Sequence, residues 1–193
     1  MNEALGSRTA AWADCVVGFV AGSLALRMDL PALARALASA AWREDCPRAA
    51  DLAASGDRQA FRRVRLRTHD SLPYSALLIA WPPGYVSPVH DHDGLWGIDV
   101  VLDGVLEVEA YALPRDGMPQ SSPAGSRILG IGDVLTFPGD GYAHRCRNLS
   151  ARQPALSLHV YGGTLERYRS FHEDARGDWR CTFNRATAEH ALP

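Results

Sequence analysis

The sequence predicts a mainly β domain that follows an N-terminal helical segment. From about residue 57 onward, short stretches of alternating apolar and polar residues are separated by turns such as WPPG, PGDG and DARGD. This pattern is typical of a β-sandwich or barrel. Before that point, apolar residues keep a rhythm of three to four residues, which indicates helices. We therefore expect one domain over residues 1–193, with a helical cover at 1–56 and a β-barrel core at 57–193.

The helical segment is expected to contain two longer helices and a short third one. Apolar residues such as Trp12 and Val16 predict the first helix from about Ala10. Asp29 is a suitable N-cap for the second helix, because Pro31 would then occupy its first turn. The short third helix is expected between residues 43 and 56. We interpret all three as a structural cover that packs against the sheet that follows.

The composition excludes several classes of function. Hydrophobic residues make up 47% of the chain and charged residues 22%, as in an ordinary globular protein. A net charge of -2 gives no basic field for nucleic acid, and no apolar run approaches the ~20 residues that span a bilayer. The N-terminus is too polar for a signal peptide, and the four cysteines include no C-x-x-C pair. We therefore expect a cytoplasmic protein with reduced thiols that binds neither nucleic acid nor membranes.

Two histidines one residue apart, His90 and His92, lie between two predicted strands. If they extend a strand, both imidazoles leave the same face, because side chains alternate sides. Such a pair is a weak signal by itself, since many histidine pairs are simply exposed or packed. His144 follows a predicted strand and a Gly-rich turn, and it is the candidate third ligand of a metal site.

The two histidine segments also fit a longer pattern. They read Gly84-x5-His90-x-His92-x4-Gly97-x6-Gly104 and Gly132-x5-Pro138-x2-Gly141-x2-His144-x3-Asn148. This resembles the two motifs of the cupin superfamily, whose members are small jelly-roll barrels with a metal inside. The second motif here carries one extra residue between Pro138 and Gly141. Many cupins place a glutamate where this chain has Gly97, so the resemblance implies three neutral histidine ligands and no carboxylate.

Within the cupins, this departure resembles the cysteine dioxygenase family of thiol dioxygenases. Ser157-x-His159-x-Tyr161 is similar to the Ser-His-Tyr relay of that family, and the resemblance spans roughly residues 60–183. It implies that Tyr161, held by His159 and Ser157, directs its hydroxyl at the bound thiol or oxygen. In animal members a cysteine at the position of Gly97 is cross-linked to the relay tyrosine. Gly97 cannot form that bond, so the resemblance implies an unmodified Tyr161, as in bacterial members.

The resemblance also implies an arginine that grips the substrate carboxylate. Cysteine-type members use an arginine there, and 3-mercaptopropionate-type members a glutamine. Phe61-x-Arg63 lies in the place of the family's Tyr-x-Arg motif, with one extra residue before Tyr74. This gap leaves Arg65 as an alternative to Arg63, and Arg67 is a further competitor on the same predicted face. An arginine in an Arg-rich strand is also commonly just solvent-exposed.

The expected chemistry follows from the ligand types. Three neutral imidazoles leave an iron(II) ion its full charge and open positions for a thiolate, an amine and dioxygen. The dication should lower the thiol pKa from its usual ~8.5, and zinc is unsuitable because it has no redox chemistry. We therefore predict a monomeric iron(II)-dependent dioxygenase that oxidises a small thiol to a sulfinic acid. L-cysteine is the leading substrate, and 3-mercaptopropionate and mercaptosuccinate are the rivals. A metal-binding cupin isomerase or small-ligand sensor is the alternative from a different class.

Overall fold

The computed structural model describes residues 3–26, 29–53, 61–66, 72–114 and 117–188, with side chains from residue 9 onward in the first helix. The helices are α1 (Glu3–Ala25), α2 (Leu30–Ala40) and α3 (Ala49–Ala53). The strands are β1 (Arg62–Arg65), β2 (Ser75–Trp81), β3 (Val89–His90), β4 (Gly97–Asp103), β5 (Leu106–Ala112), β6 (Gly125–Leu129), β7 (Val134–Phe137), β8 (Tyr142–Asn148), β9 (Ala155–Tyr161), β10 (Arg167–Glu173) and β11 (Trp179–Arg185).

The second helix begins as the sequence predicts. Asp29 has an extended backbone, and its carboxylate accepts a hydrogen bond from the Ala32 amide at 2.8 Å, with Pro31 in the first turn. Helix α1 begins at Glu3, earlier than Ala10, where the apolar rhythm of the sequence begins. No helix in the described part of the chain is both long and apolar enough to cross a lipid bilayer.

Two antiparallel sheets form the rest of the molecule. The first has the strand order β1-β2-β9-β4-β7, and the second the order β11-β10-β3-β8-β5-β6. Neighbours in space are mostly distant in sequence: β9 lies between β2 and β4 and pairs with both along its length. This arrangement confirms the predicted mainly β, cupin-like fold with helices at the N-terminus.

The first sheet is covered on both of its faces, which explains why β2 and β9 are buried at every position. Alternate side chains such as Leu78 and Leu158 pack in one apolar cluster with Trp12 and Leu37 of the helices. The intervening side chains point toward the second sheet and line the interior of the barrel. Helices α1 and α2 therefore pack over the outer face of this sheet.

The division into a helical cover at 1–56 and a β core at 57–193 stays a prediction. The proposed boundary falls at residues 54–60, which lie outside the described part of the chain, as does Arg67. A hydrogen bond joins the segments before and after this boundary: the Ala49 amide of α3 donates to the Asp103 carboxylate at 2.9 Å. The last helix is thus tied directly to the end of strand β4.

Candidate metal centre and its cavity

The structure brings His90, His92 and His144 together. His90 ends strand β3 and is paired directly with His144 on β8. Strand β3 ends there, so His92 lies in the turn that follows rather than on an extended strand. The three ring centroids are nevertheless 4.6–5.2 Å apart, and one nitrogen from each ring lies within 4.8 Å of the other two.

The ring nitrogens of these histidines fit a metal ion. Nε2 of His92 and Nε2 of His144 are buried and have no hydrogen-bond partner. Nδ1 of His90 lies 3.0 Å from the Pro88 carbonyl oxygen, which can only accept, so the lone pair of His90 is on Nε2. Buried nitrogens without partners are costly, whereas converging imidazole lone pairs are what a divalent transition metal requires.

The protonation states of the three histidines also fit a metal site. Loss of contact with water lowers the pKa of His90 to about 4. Burial, and then the neighbouring histidines, hold the pKa values of His92 and His144 well below their usual range. All three rings are therefore neutral near pH 7, as metal ligation requires.

A buried carboxylate, which was not predicted from the sequence, lies directly behind this cluster. Asp99 on β4 is 5% exposed, and its Oδ2 lies 3.9 Å from Nδ1 of His144. Its Oδ1 lies 2.6 Å from Nδ1 of His159. Burial acts to raise the pKa of Asp99, but the histidine rings around it, His159 first, outweigh burial and hold that pKa below its usual value. The expectation of a site without an acidic side chain therefore applies only to the three histidines themselves.

Asp99 gave a weak signal in the sequence because IDVVLDG resembles a strand with one face in solvent. In the structure β4 lies inside its sheet, between β9 and β7, and Asp99 faces the barrel interior, where it lies beside His144 and His159. Strand order, which the sequence does not state, was needed to recognise Asp99 as buried.

The three relay residues lie together on the inner face of β9. The Ser157 hydroxyl lies 2.7 Å from Nε2 of His159, and the Tyr161 hydroxyl lies 3.4 Å from Nδ1 of the same ring. The indole N–H of Trp81 donates a hydrogen bond to the Ser157 oxygen at 2.8 Å. Burial raises the pKa of Tyr161 well above its usual value, so its hydroxyl keeps its proton. The Tyr161 ring also contacts His92, with 4.8 Å between the ring centroids.

Gly97 is required by its neighbour Phe137. A Cβ atom at Gly97 would lie 2.0 Å from Cζ of Phe137, which is far inside van der Waals contact. The Phe137 ring stacks against His92 at 4.7 Å and so forms one wall of the histidine cluster. The place of a side chain at residue 97 is therefore filled by an aromatic ring that supports His92.

A cavity of about 240 Å³ lies between the two sheets, and its lining includes His90, His92, His159, Tyr161, Arg63 and Arg65. The Arg63 guanidinium lies 5.1 Å from the ring centroid of Phe61 and 5.1 Å from that of Tyr168. Within the described residues, Arg63 makes no ion pair with a carboxylate. A guanidinium held between two rings without an anion is suited to receive one.

Of the remaining polar candidates, Cys146 lines the cavity and His172 does not. His172 is exposed on β10, while His69 and His190 lie outside the described residues. All four cysteines are free. Burial raises the pKa of the Cys146 thiol well above its usual value, so this thiol stays protonated.

Comparison with known proteins identifies the family. Residues 40–174 match the family model described as cysteine dioxygenase type I. Human cysteine dioxygenase type 1 is 24% identical over 98 residues, which cover 51% of this chain and 49% of the human protein. The zebrafish (Danio rerio) protein of the same name is 28% identical over 99 residues, with the same coverage of each chain. The matched region thus spans about half the length of these curated relatives.

Among solved structures, the cupin domain of Schizosaccharomyces pombe Cnp3 superposes with a TM-score of 0.43 and 14% identity. That match covers 54% of this chain and 61% of the other, and a likeness at this level carries no argument about function. The family match covers well over half of the sequence and contains all three histidines of the cluster, the buried Asp99 and the Ser-His-Tyr set. This protein therefore belongs to the cysteine dioxygenase type I family.

Proposed function

We infer that this protein is an iron(II)-dependent thiol dioxygenase that oxidises a small carboxylate-bearing thiol to a sulfinic acid with dioxygen. The observation that supports this most is the convergence of three neutral imidazoles, two of them with unpartnered buried nitrogens, beside the cavity that Arg63 lines. Family membership supports the reaction type.

His90, His92 and His144 would hold the metal. Iron(II) bound there would supply the redox chemistry that couples oxidation of the thiol to reduction of dioxygen, which zinc lacks. The protein's own contribution is to keep these ligands neutral and in place. Phe137 packs on His92, and the Pro88 carbonyl fixes the ring of His90.

Arg63 would bind the substrate carboxylate. Its fork of N–H donors suits a bidentate grip, and the flanking rings of Phe61 and Tyr168 fix its direction. The Tyr168 ring also lies 6.0 Å from that of His90, so Arg63 and the histidine cluster share a neighbour. The charge of Arg63 also acts on His90 and Tyr161, and this proximity favours Arg63 over Arg65 for the role.

Tyr161 would donate a hydrogen bond to the sulfur or oxygen of the bound reactants. Its raised pKa keeps the hydroxyl protonated throughout the neutral range, and its ring is held against His92. A positioned donor in a cavity shielded from water stabilises developing negative charge better than water does.

L-cysteine is the leading substrate, because an arginine at the position of Arg63 marks the cysteine-type members that the sequence resembles. A cavity of about 240 Å³ is below the range typical of drug-sized ligands, and it favours a substrate of this size. A specific observation favours mercaptosuccinate as a second candidate. Two arginines line the cavity, and its described lining includes no aspartate or glutamate, so a second carboxylate could pair with Arg65.

We further infer a monomer that acts in the reducing cytosol without binding nucleic acid or membranes. Four free cysteines and the small negative charge support this inference. Size-exclusion chromatography with light scattering would test the monomer, since a mass near twice 21.0 kDa would contradict it.

Oxygen uptake tests the proposed function. Protein loaded with Fe(II) is supplied in turn with L-cysteine, 3-mercaptopropionate and mercaptosuccinate, and the sulfinic acid is quantified. We expect the highest kcat/KM with L-cysteine. Absence of uptake with all three thiols, together with zinc in the purified protein, would instead favour a cupin isomerase or small-ligand sensor.

A further inference from the structure

Asp99 lies between two histidines that have different tasks in the proposed function. One of its oxygens lies 2.6 Å from Nδ1 of His159, and the other lies 3.9 Å from Nδ1 of His144. Neither oxygen accepts a well-formed hydrogen bond: the contact with His159 is short but poorly aligned, and the contact with His144 is too long. A buried carboxylate with incomplete partners is costly, and a native protein that retains one usually uses it.

The short contact determines where the hydrogen of His159 lies. A carboxylate can only accept, and two lone-pair atoms repel each other at 2.6 Å, so Nδ1 of His159 carries a hydrogen. The Ser157 oxygen already receives the indole N–H of Trp81, which leaves the hydroxyl hydrogen of Ser157 free for Nε2 of His159. The hydrogen-bond donors therefore follow one direction. Trp81 donates to Ser157, Ser157 donates to His159, and the N–H of His159 lies against Asp99.

This direction changes the role of Tyr161. Its hydroxyl lies 3.4 Å from the same Nδ1 of His159, but that nitrogen already bears a hydrogen directed at the nearer Asp99. Nδ1 consequently has no lone pair to accept the Tyr161 hydrogen. The hydroxyl hydrogen of Tyr161 is left for a molecule in the cavity.

The second contact concerns the candidate ligand His144. When Nε2 of its ring faces the ion, Nδ1 carries the hydrogen. The two oxygen atoms near that Nδ1 are the Tyr142 hydroxyl at 3.5 Å and the Asp99 carboxylate at 3.9 Å. A carboxylate behind a metal-binding imidazole orients the ring and makes it a stronger ligand.

We propose that Asp99 is a positioning residue: it holds the rings of His144 and His159 in one orientation and leaves the Tyr161 hydrogen to the substrate. The role of His144 and Tyr161 in this statement rests on the proposed function. Nδ1 of each ring has one oxygen of this carboxylate as a neighbour, at 2.6 Å for His159 and 3.9 Å for His144. Asp99→Asn keeps the shape but offers one acceptor, so an NH₂ group must face one of the two ring nitrogens.

The test uses two readouts that need no turnover. Nitrogen-15 NMR of the imidazoles in the metal-free full-length protein reports which nitrogen of His159 is protonated, and we expect Nδ1 in the wild type. Titration with Co(II), followed by its visible absorption, reports the affinity of the histidine cluster. We expect Asp99→Asn to weaken Co(II) binding by about 10–100-fold, the range found when a partner behind a metal ligand is removed.

Asp103→Asn is the matched control. Asp103 lies on the same strand, but its carboxylate accepts from the Ala49 amide of the helical cover and does not line the cavity. This variant should lose some thermal stability and leave both the His159 tautomer and the Co(II) affinity unchanged.

The proposal is overturned if wild-type His159 carries its hydrogen on Nε2 alone, a measurement that needs no variant to fold. It is equally overturned if Asp99→Asn loses only thermal stability and binds Co(II) like the wild type. If both readouts behave as expected but no thiol supports oxygen uptake, the positioning role stands and the proposed function fails.

Discussion

The two faces of the first sheet are built from the same strands and carry opposite chemistry. On the outer face of β9, Leu156, Leu158 and Val160 pack against the helical cover in a largely apolar cluster. On the inner face, the intervening Ser157 and His159 are also almost fully buried, yet they are polar.

The difference between the faces lies in how polar groups are satisfied. Outer side chains need only to pack well, since burial of apolar area is favourable without specific partners. Inner side chains need partners or a ligand, because a buried polar atom without either is costly. Four of the five unpartnered buried side-chain atoms in the described chain belong to Asp99 on the inner face, to His144 on β8 of the second sheet and to His92 in the turn after β3. The outer face therefore stabilises the fold, and the inner face is adapted to bind something.

Removing one inner ligand should have the largest effect. We expect His144→Ala to abolish stoichiometric iron binding and thiol-dependent oxygen uptake, because two imidazoles alone hold the metal weakly. Metal content after dialysis measures this. His172→Ala, at an exposed histidine of β10, is the control and should keep its iron. Stoichiometric iron in the His144→Ala protein would remove His144 from the ligand set.

Truncation of an apolar side chain on the outer face should lower the stability of the fold and leave the histidine cluster intact. Leu158 is fully buried, so Leu158→Ala should lower the free energy of unfolding by about 2–5 kcal/mol. Urea unfolding of the metal-free protein measures the change, and Co(II) affinity should stay at the wild-type level. Leu149→Ala, at a side chain that is 39% exposed, should change stability by less than about 0.5 kcal/mol. A loss of Co(II) affinity in the Leu158→Ala protein would show that the two faces are not independent.

Loss of the inner hydroxyl should affect the reaction alone. Tyr161→Phe removes one hydrogen-bond donor, and we expect kcat to fall by roughly 10–100-fold, the effect of losing one hydrogen bond to a charged group. Iron content should be unchanged because Tyr161 is not among the three histidines. Iron loss in this variant would show that the tyrosine is structural.

Substitutions of the two cavity arginines should have the smallest effects, and these effects should differ between Arg63 and Arg65. Arg63→Lys keeps the charge but loses the bidentate geometry, so KM for L-cysteine should rise by about tenfold, the effect of one charge-assisted hydrogen bond. Arg65→Lys should leave KM for L-cysteine nearly unchanged and raise it for mercaptosuccinate. Steady-state oxygen uptake measures both variants, and the reverse ranking with L-cysteine would assign the carboxylate to Arg65.

Much of the fold followed from local patterns. Asp29 and Pro31 marked the start of the second helix, and alternation marked the strands, because caps and pleats depend on residues close in sequence. The histidines and the Ser-His-Tyr set were also visible as motifs at fixed spacing. The exact start of α1 was not, since its first residues lack the apolar rhythm.

The residue types of the site could be read from the sequence alone: three imidazoles, a serine–histidine–tyrosine set and an arginine-rich strand. The position of Asp99 behind His144 and His159, and the packing of Phe137 into the space beside Gly97, became evident only in the folded protein. Both depend on strand order. Alternation along a strand separates two faces, but which face is dry, and what lies across from it, depends on strands such as β9 and β4 that are distant in sequence and adjacent in space.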